Sequence, residues 1–141
     1  MPYLVTPDRG NRCVLLTCSG EMTLVEMKTA WWGIHHLLAE FGWKRILVDT
    51  TAMTSEADIG EPFDLAKLFC HNLPQSGRIA LLVRWDQSKS AKLLETLVRS
   101  VGVYLTVFVS EEPAKAWIAD YSSDNLQRTV TRTAPQVCVI N

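Results

Sequence analysis

The sequence predicts an α/β fold, a mostly parallel mixed sheet that opens with a β-hairpin and carries helices packed on it. Three observations predict it. A short uninterrupted apolar run at 46–48 has the make-up of a strand buried on both faces, and apolar-rich runs at 79–83 and 103–109 read as further strands. Between them, apolar residues recur every three or four positions, the helical period. Ahead of both stand two strand-like runs joined by the turn-rich PDRGN. Strands alternating with helices of this length imply right-handed crossovers.

The elements follow in order. Residues 3–6 and 13–18 read as the hairpin strands, and Ser19 and Gly20 end the second. Thr23 and Glu26 have capping-box spacing at the head of a long helix. In that helix Leu24, Met27, Trp31, Ile34, Leu38 and Phe41 form one stripe that must face the sheet, and Gly42 stops it. Lys44 and Arg45 lead into the apolar run Ile46, Leu47, Val48, which ends at Asp49 in a polar loop. Glu61, Pro62 and Asp64 favour the start of a second helix, buried through Phe63, Leu65, Ala66, Leu68 and Phe69 and broken at 74–77. Residues 79–83 form the next strand. A third helix over 89–101 is buried through Ala91, Leu94, Leu97, Val98 and Val101, and a last strand covers 103–109. Ser110 caps a short final helix with Glu111, Glu112 and Pro113 in its first turn and Trp117 and Ile118 inward.

Size and composition bound the function. A chain of 141 residues, 48% hydrophobic and 21% charged, is long enough for one globular core without disulfides or metal. Its net charge of −1 removes the electrostatic reason to expect nucleic acid or a polybasic membrane anchor as partner. No apolar run approaches the roughly 18 residues of a membrane span, and the start, MPYLVTPDRGNR, lacks the pattern of a secretory signal. A cytoplasmic protein is expected. Cys13, Cys18, Cys70 and Cys138 contain no C-x-x-C pair, and Cys13 and Cys18 point to opposite faces of one strand. They read as small buried hydrophobes in a reducing compartment rather than as a zinc site. No cofactor or metal is implied.

Four pieces in this order carry a resemblance. They are Gly20-Glu21-Met22-Thr23 opening the first helix, Arg45-Ile46-Leu47-Val48-Asp49, and Arg78-Ile79-Ala80-Leu81-Leu82. The fourth is Val107-Phe108-Val109-Ser110-Glu111-Glu112-Pro113-Ala114, running into Ala116-Trp117-Ile118. Together they resemble the SpoIIAA-like family of small STAS-related proteins, over residues 3–120. The resemblance implies a (βα)n superhelix around a mixed sheet, a scaffold also similar to CRAL-TRIO lipid-binding domains. It leaves 121–141 as a tail whose QVCVI end is either an added strand or a dimer arm. STAS anti-sigma-factor antagonists carry a phosphorylatable serine after an aspartate at the start of the second helix. Here Asp58 stands where that serine would be expected, which argues against a phosphoserine switch there, although Thr54 and Ser55 are nearby hydroxyls.

Binding groups in open α/β sheets collect at the carboxyl ends of strands. Asp49, Thr51, Thr54, Ser55 and Asp58 are therefore the candidate ligand- or partner-binding residues, against the alternative that they satisfy turn backbone and cap a helix. His35 and His36 are helix neighbours about 100° apart, so they cannot converge on one metal, and they read as a surface pair. His71 has no recognisable partner in sequence. Trp32 shares a helix flank with Val25 and His36, which makes Trp32 and His36 the candidate interface of a homodimer. The segment 84–90 with Lys92 offers helix amides and two lysines to an anion, but it holds no glycine and no P-loop, and it reads as solvated charge. No G-x-S-x-G or H-E-x-x-H occurs. The expected function is a non-enzymatic STAS-like module that binds a protein or small ligand, in a regulatory role. A carrier of an apolar ligand is the alternative, and a hydrolase the distant third.

Overall fold

The computed structural model describes residues 3–54, 62–70 and 77–119. Strands β1 (Tyr3–Asp8) and β2 (Cys13–Gly20) form the hairpin, and α1 (Leu24–Phe41), β3 (Arg45–Met53) and α2 (Pro62–Cys70) follow. Strand β4 (Arg78–Leu82) leads through a 3-10 turn (Trp85–Gln87) into α3 (Ser88–Ser100), and β5 (Tyr104–Phe108) and α4 (Glu111–Ile118) complete the order. The five strands make one mixed sheet in the order β1-β2-β3-β4-β5, antiparallel only between β1 and β2.

That order decides the layering. From β2 to β5 each strand is laid beside the previous one in the same direction, so right-handed crossovers place α1, α2 and α3 on one face. The main core lies there: Val14, Leu16, Ile46, Val48, Ile79, Leu81 and Leu105 meet Met27, Trp31, Ile34, Phe69, Leu94 and Val98. On the opposite face Cys13, Leu47, Ala80 and Leu82 pack against Ala114 and Ile118 of α4. All five β4 residues are buried, and after Arg78 they read as a continuous apolar run, as on a strand covered on both faces.

Local chemistry matches the expected helix ends. The Thr23 hydroxyl accepts the Glu26 N–H at 3.1 Å while the Glu26 carboxylate accepts the Thr23 N–H at 2.9 Å. Gly42 takes the left-handed conformation at φ 71° and donates its N–H to the Leu38 carbonyl. Trp31 is 2% exposed and packs on Phe69 with ring centroids 4.9 Å apart.

Several expectations need correction. Strand β3 runs on to Met53, so the polar stretch from Asp49 is strand and the loop begins only after it. Val101 is 64% exposed, because the helix ends at Ser100 and Val101 is its cap, leading into Gly102 at φ 92°. Ser110 is an extended N-cap whose side chain makes no capping hydrogen bond. His71, the break at 74–77 up to Gly77, and the tail from Tyr121 lie outside the described residues, as do the side chains of Phe63 and Leu65.

Arg45, expected only to lead into its strand, and Arg78 are 2% and 0% exposed. The Arg45 guanidinium donates to the Ile118 carbonyl, and Arg78 Nη1 donates to the Trp117 carbonyl at 2.8 Å. Arg78 also stacks over Trp117 at 4.5 Å and Tyr104 at 5.5 Å. Both charges sit at the C-terminal, partially negative end of α4 and satisfy carbonyls that lack helical partners. Replacing Trp31 by alanine is expected to cost about 3–5 kcal/mol, as for other buried aromatics. Denaturant unfolding measures it, and an unchanged midpoint would contradict the packing of α1.

Candidate functional site: the carboxyl-end rim

Strand β3 outlasts its neighbours. Asp49 pairs with Leu82, the last residue of β4, and Leu82 with Phe108, the last of β5. Beyond Asp49 only β2 accompanies β3, after a register shift between Thr17 and Ser19, pairing Ala52 with Ser19 and Met53 with Gly20. The side of β3 that β4 has left would expose main-chain carbonyls, and the turn after β4 supplies the missing donors. Arg84 Nη1 donates to the Thr51 carbonyl at 2.7 Å and also to that of Met53. Gln87 Nε2 donates to the Thr50 carbonyl at 3.1 Å, and the Thr50 hydroxyl donates to the Leu82 carbonyl at 3.1 Å. Gln87 Oε1 accepts the Arg84 N–H at 2.7 Å, closing the network. Thr50 and Gln87 are each 2% exposed, so their bonds to the Leu82 and Thr50 carbonyls form where water does not compete, while those of Arg84 are part-buried.

The reading of 84–90 as solvated charge needs correction at Arg84. Arg84 is half-buried and holds β3, with its Nε also 3.0 Å from Asp86 Oδ1. Lys89 and Lys92 are exposed, and Lys92 stands 3.9 Å from Glu95.

The expected site residues separate. Asp49 Oδ1 accepts the Thr51 N–H at 2.9 Å and the Thr51 hydroxyl at 2.6 Å, so these two side chains satisfy each other on one face of the strand. Thr54 is exposed just past the strand end and anchors through its N–H to the Gly20 carbonyl at 3.0 Å. Ser55 and Asp58 lie outside the described residues. Trp85, which the sequence reading passed over, is 78% exposed on the turn that Arg84 and Gln87 hold. Val109, 47% exposed, follows the end of β5, whose Phe108 carbonyl accepts the Val83 N–H at 2.9 Å. The available signal was an aromatic residue inside an otherwise polar strand-to-helix connection.

On α1, Trp32 is 63% and Val25 73% exposed, and His36 is exposed with Nε2 3.8 Å from Glu40 Oε1. The histidines do not form a surface pair. His35 is half-buried with its ring edge-on to Trp31 at 5.3 Å, because it lies on the side of α1 that turns toward the core.

Among the described residues no group of three histidine, cysteine or acidic side chains is arranged to hold a metal. Burial pushes the thiols of Cys13 and Cys18 up to about 12, with Asp8 adding to the first and Asp49 to the second. Both stay protonated at neutral pH and are poor nucleophiles. Their shift also makes stability pH-dependent. Unfolded thiols release protons above 9.0, while the folded ones hold them to about 12. Their contribution is therefore complete below 9.0 and falls as pH rises toward 12, by about 1.4 kcal/mol per unit for each fully buried thiol. Unfolding curves at pH 8, 10 and 11 measure this, and serine at both positions is expected to flatten the loss.

No family model and no curated protein matches the chain. A crystal structure of an anti-sigma factor antagonist from Mycobacterium paratuberculosis is similar to it, with a TM-score of 0.58 and 16% identity. The match covers 84% of this chain and 93% of that one. At this identity the likeness is one of fold. The chain has the STAS, or SpoIIAA-like, fold, a five-stranded mixed sheet with four helices, as the sequence resemblance implied. Among the described residues no helix is long and apolar enough to cross a membrane.

Proposed function

We propose that this STAS-fold chain is a non-enzymatic regulator of the cytoplasm that recognises a protein partner at the carboxyl-end rim of its sheet. The observation that carries the reading is Trp85, a tryptophan 78% exposed on a turn that Arg84 and Gln87 tie to β3. Exposed tryptophans on rigid supports are the residues that dominate protein interfaces, because little conformational entropy is lost when they are covered. Asp86 adjoins it in the chain, and exposed Thr54 and Val109 follow the carboxyl ends of β3 and β5. Ser55 and Asp58 continue the chain from Thr54 and are proposed to extend the same surface, and Asp49 and Thr51 to brace it. The structural neighbour is an anti-sigma factor antagonist, which makes an anti-sigma factor the first class of partner to test.

Titration of the chain against anti-sigma factors of its own organism tests the proposal. Trp85→Ala is expected to weaken binding about 30-fold or more, the effect of a 2 kcal/mol hot spot. Asp58→Ala is expected to weaken it too, and both variants should keep folding stability within about 0.5 kcal/mol. Binding indifferent to Trp85 would move the site elsewhere. Native mass spectrometry that finds a co-purified lipid would favour the apolar-ligand carrier instead.

The exposure of Trp32 and Val25 beside His36 supports a second reading, that the chain also self-associates as a two-fold dimer. Light scattering coupled to size exclusion at about 100 μM decides whether it does, and a monomeric mass would end that reading.

A further inference from the structure

Trp85 is carried by a turn that apolar packing does not hold. Val83 before the turn and Ala91 after it are buried, but of residues 84–90 only Gln87 is. A segment with so little buried surface opens locally at low cost unless polar contacts fix it. The Ser88 hydroxyl donates to the Trp85 carbonyl at 2.7 Å, and the Gln87 N–H to the Arg84 carbonyl at 2.9 Å. Both bonds lie within the turn and move with it. The Val83 N–H still bonds the Phe108 carbonyl of β5. Beyond it, among the described residues, the turn is hydrogen-bonded to the sheet through two side chains, Arg84 and Gln87.

The two side chains do different work. Arg84 lies on the rim with its side chain 34% exposed, where water can replace what its guanidinium does. Gln87 is 2% exposed and uses both ends of its amide. Nε2 donates to the Thr50 carbonyl of β3 at 3.1 Å, and Oε1 accepts the Arg84 N–H at 2.7 Å. A donor and an acceptor in one planar group are what a side-chain amide offers and a carboxylate or an aliphatic chain does not. One side chain therefore joins β3 to the residue that precedes Trp85.

We infer that Gln87 is the positioning residue for Trp85: buried beneath the rim, it sets where the tryptophan stands by joining the Arg84 N–H to the Thr50 carbonyl. This rests on the reading of Trp85 as the partner-binding residue and adds what keeps that residue in place. Removing the amide leaves the Thr50 carbonyl and the Arg84 N–H without their shared partner, which is costly in a buried place. The turn relieves that cost by moving out into water, since Trp85 and Asp86 are exposed and offer no apolar packing to resist. Val83 and Ala91 remain packed on either side. The result is a loosened tryptophan on an intact fold. A partner must then order the turn as well as cover the ring, and binding weakens although Gln87 lies beneath the surface that the partner covers.

Backbone amide relaxation measured by NMR on the full-length chain reads the turn directly. Order parameters at Trp85 and Asp86 are expected near about 0.85 in the wild type and below about 0.6 in Gln87→Met. Methionine fills similar space with no donor and only a weak acceptor, so the change reads the hydrogen bonds rather than a cavity. Gln87→Glu keeps the acceptor for the Arg84 N–H and loses the donor to Thr50, and is expected to fall between the two. Order in β4 and in α3 from Ala91 onward is expected to stay as in the wild type, which general destabilisation would not allow. Against an anti-sigma factor that binds the wild-type chain, Gln87→Met is expected to weaken affinity about three- to tenfold. Unchanged order at Trp85 and Asp86, or order lost throughout α3, would overturn the positioning role. So would wild-type affinity in Gln87→Met where Trp85→Ala binds weakly. Binding indifferent to Trp85→Ala would instead defeat the partner site, and the order parameters alone then decide what Gln87 does.

Discussion

Everything on one side of the sheet depends on two buried guanidinium groups. Because β2 to β5 advance in a single direction, their crossovers spend three helices on one face and leave the other to α4, eight residues long. A helix that short has no stability of its own in water. Arg45 and Arg78 hold its C-terminal carbonyls, and Arg78 is stacked against Trp117 and Tyr104. Burying two cations is costly unless their donors are used, and here the helix end supplies acceptors and a favourable dipole together. The same contacts fix α4 over β3, β4 and β5 and close the second core around Leu47, Ala80, Leu82, Ala114 and Ile118.

A second constraint shapes the rim. A parallel strand longer than its neighbour has main-chain carbonyls with no strand to accept from, and unsatisfied groups of this kind are expensive when buried. The turn after β4 answers with side chains: Arg84 and Gln87 reach the carbonyls of Thr50, Thr51 and Met53. The turn that does so is thereby held rigid, and its most exposed residue is a tryptophan. The candidate site thus follows from strand lengths, with a hydrogen-bonded base under an exposed aromatic.

The edges follow the same logic of main-chain satisfaction. Glu95 and Arg99 lie one turn apart on α3 and reach over β5, so one helix face both packs on the sheet and seals it. At the other edge α1 brings Gly33 close to β1, where a Cβ would lie 3.9 Å from Val5 Cγ2.

The sequence by itself determined the α/β class and most of the secondary structure. Capping-box spacing at Thr23 and Glu26, the stripe from Met27 to Leu38, the stop at Gly42 and the apolar run of β4 are local signals, each set by neighbours within a few residues. The exposure of Trp32 and the burial of Trp31 were legible for the same reason, since helix period alone separates them. Tertiary structure decided the rest. Whether Asp49, Thr50 and Thr51 are loop or strand depends on β2 continuing alongside and on Arg84 arriving from 33 residues away in sequence. Nothing local marks Arg45 and Arg78 as buried until α4 comes back to meet them. Polar residues near strand ends have the same local pattern whether they face water or complete a buried network, because the partner that decides between the two is distant in sequence.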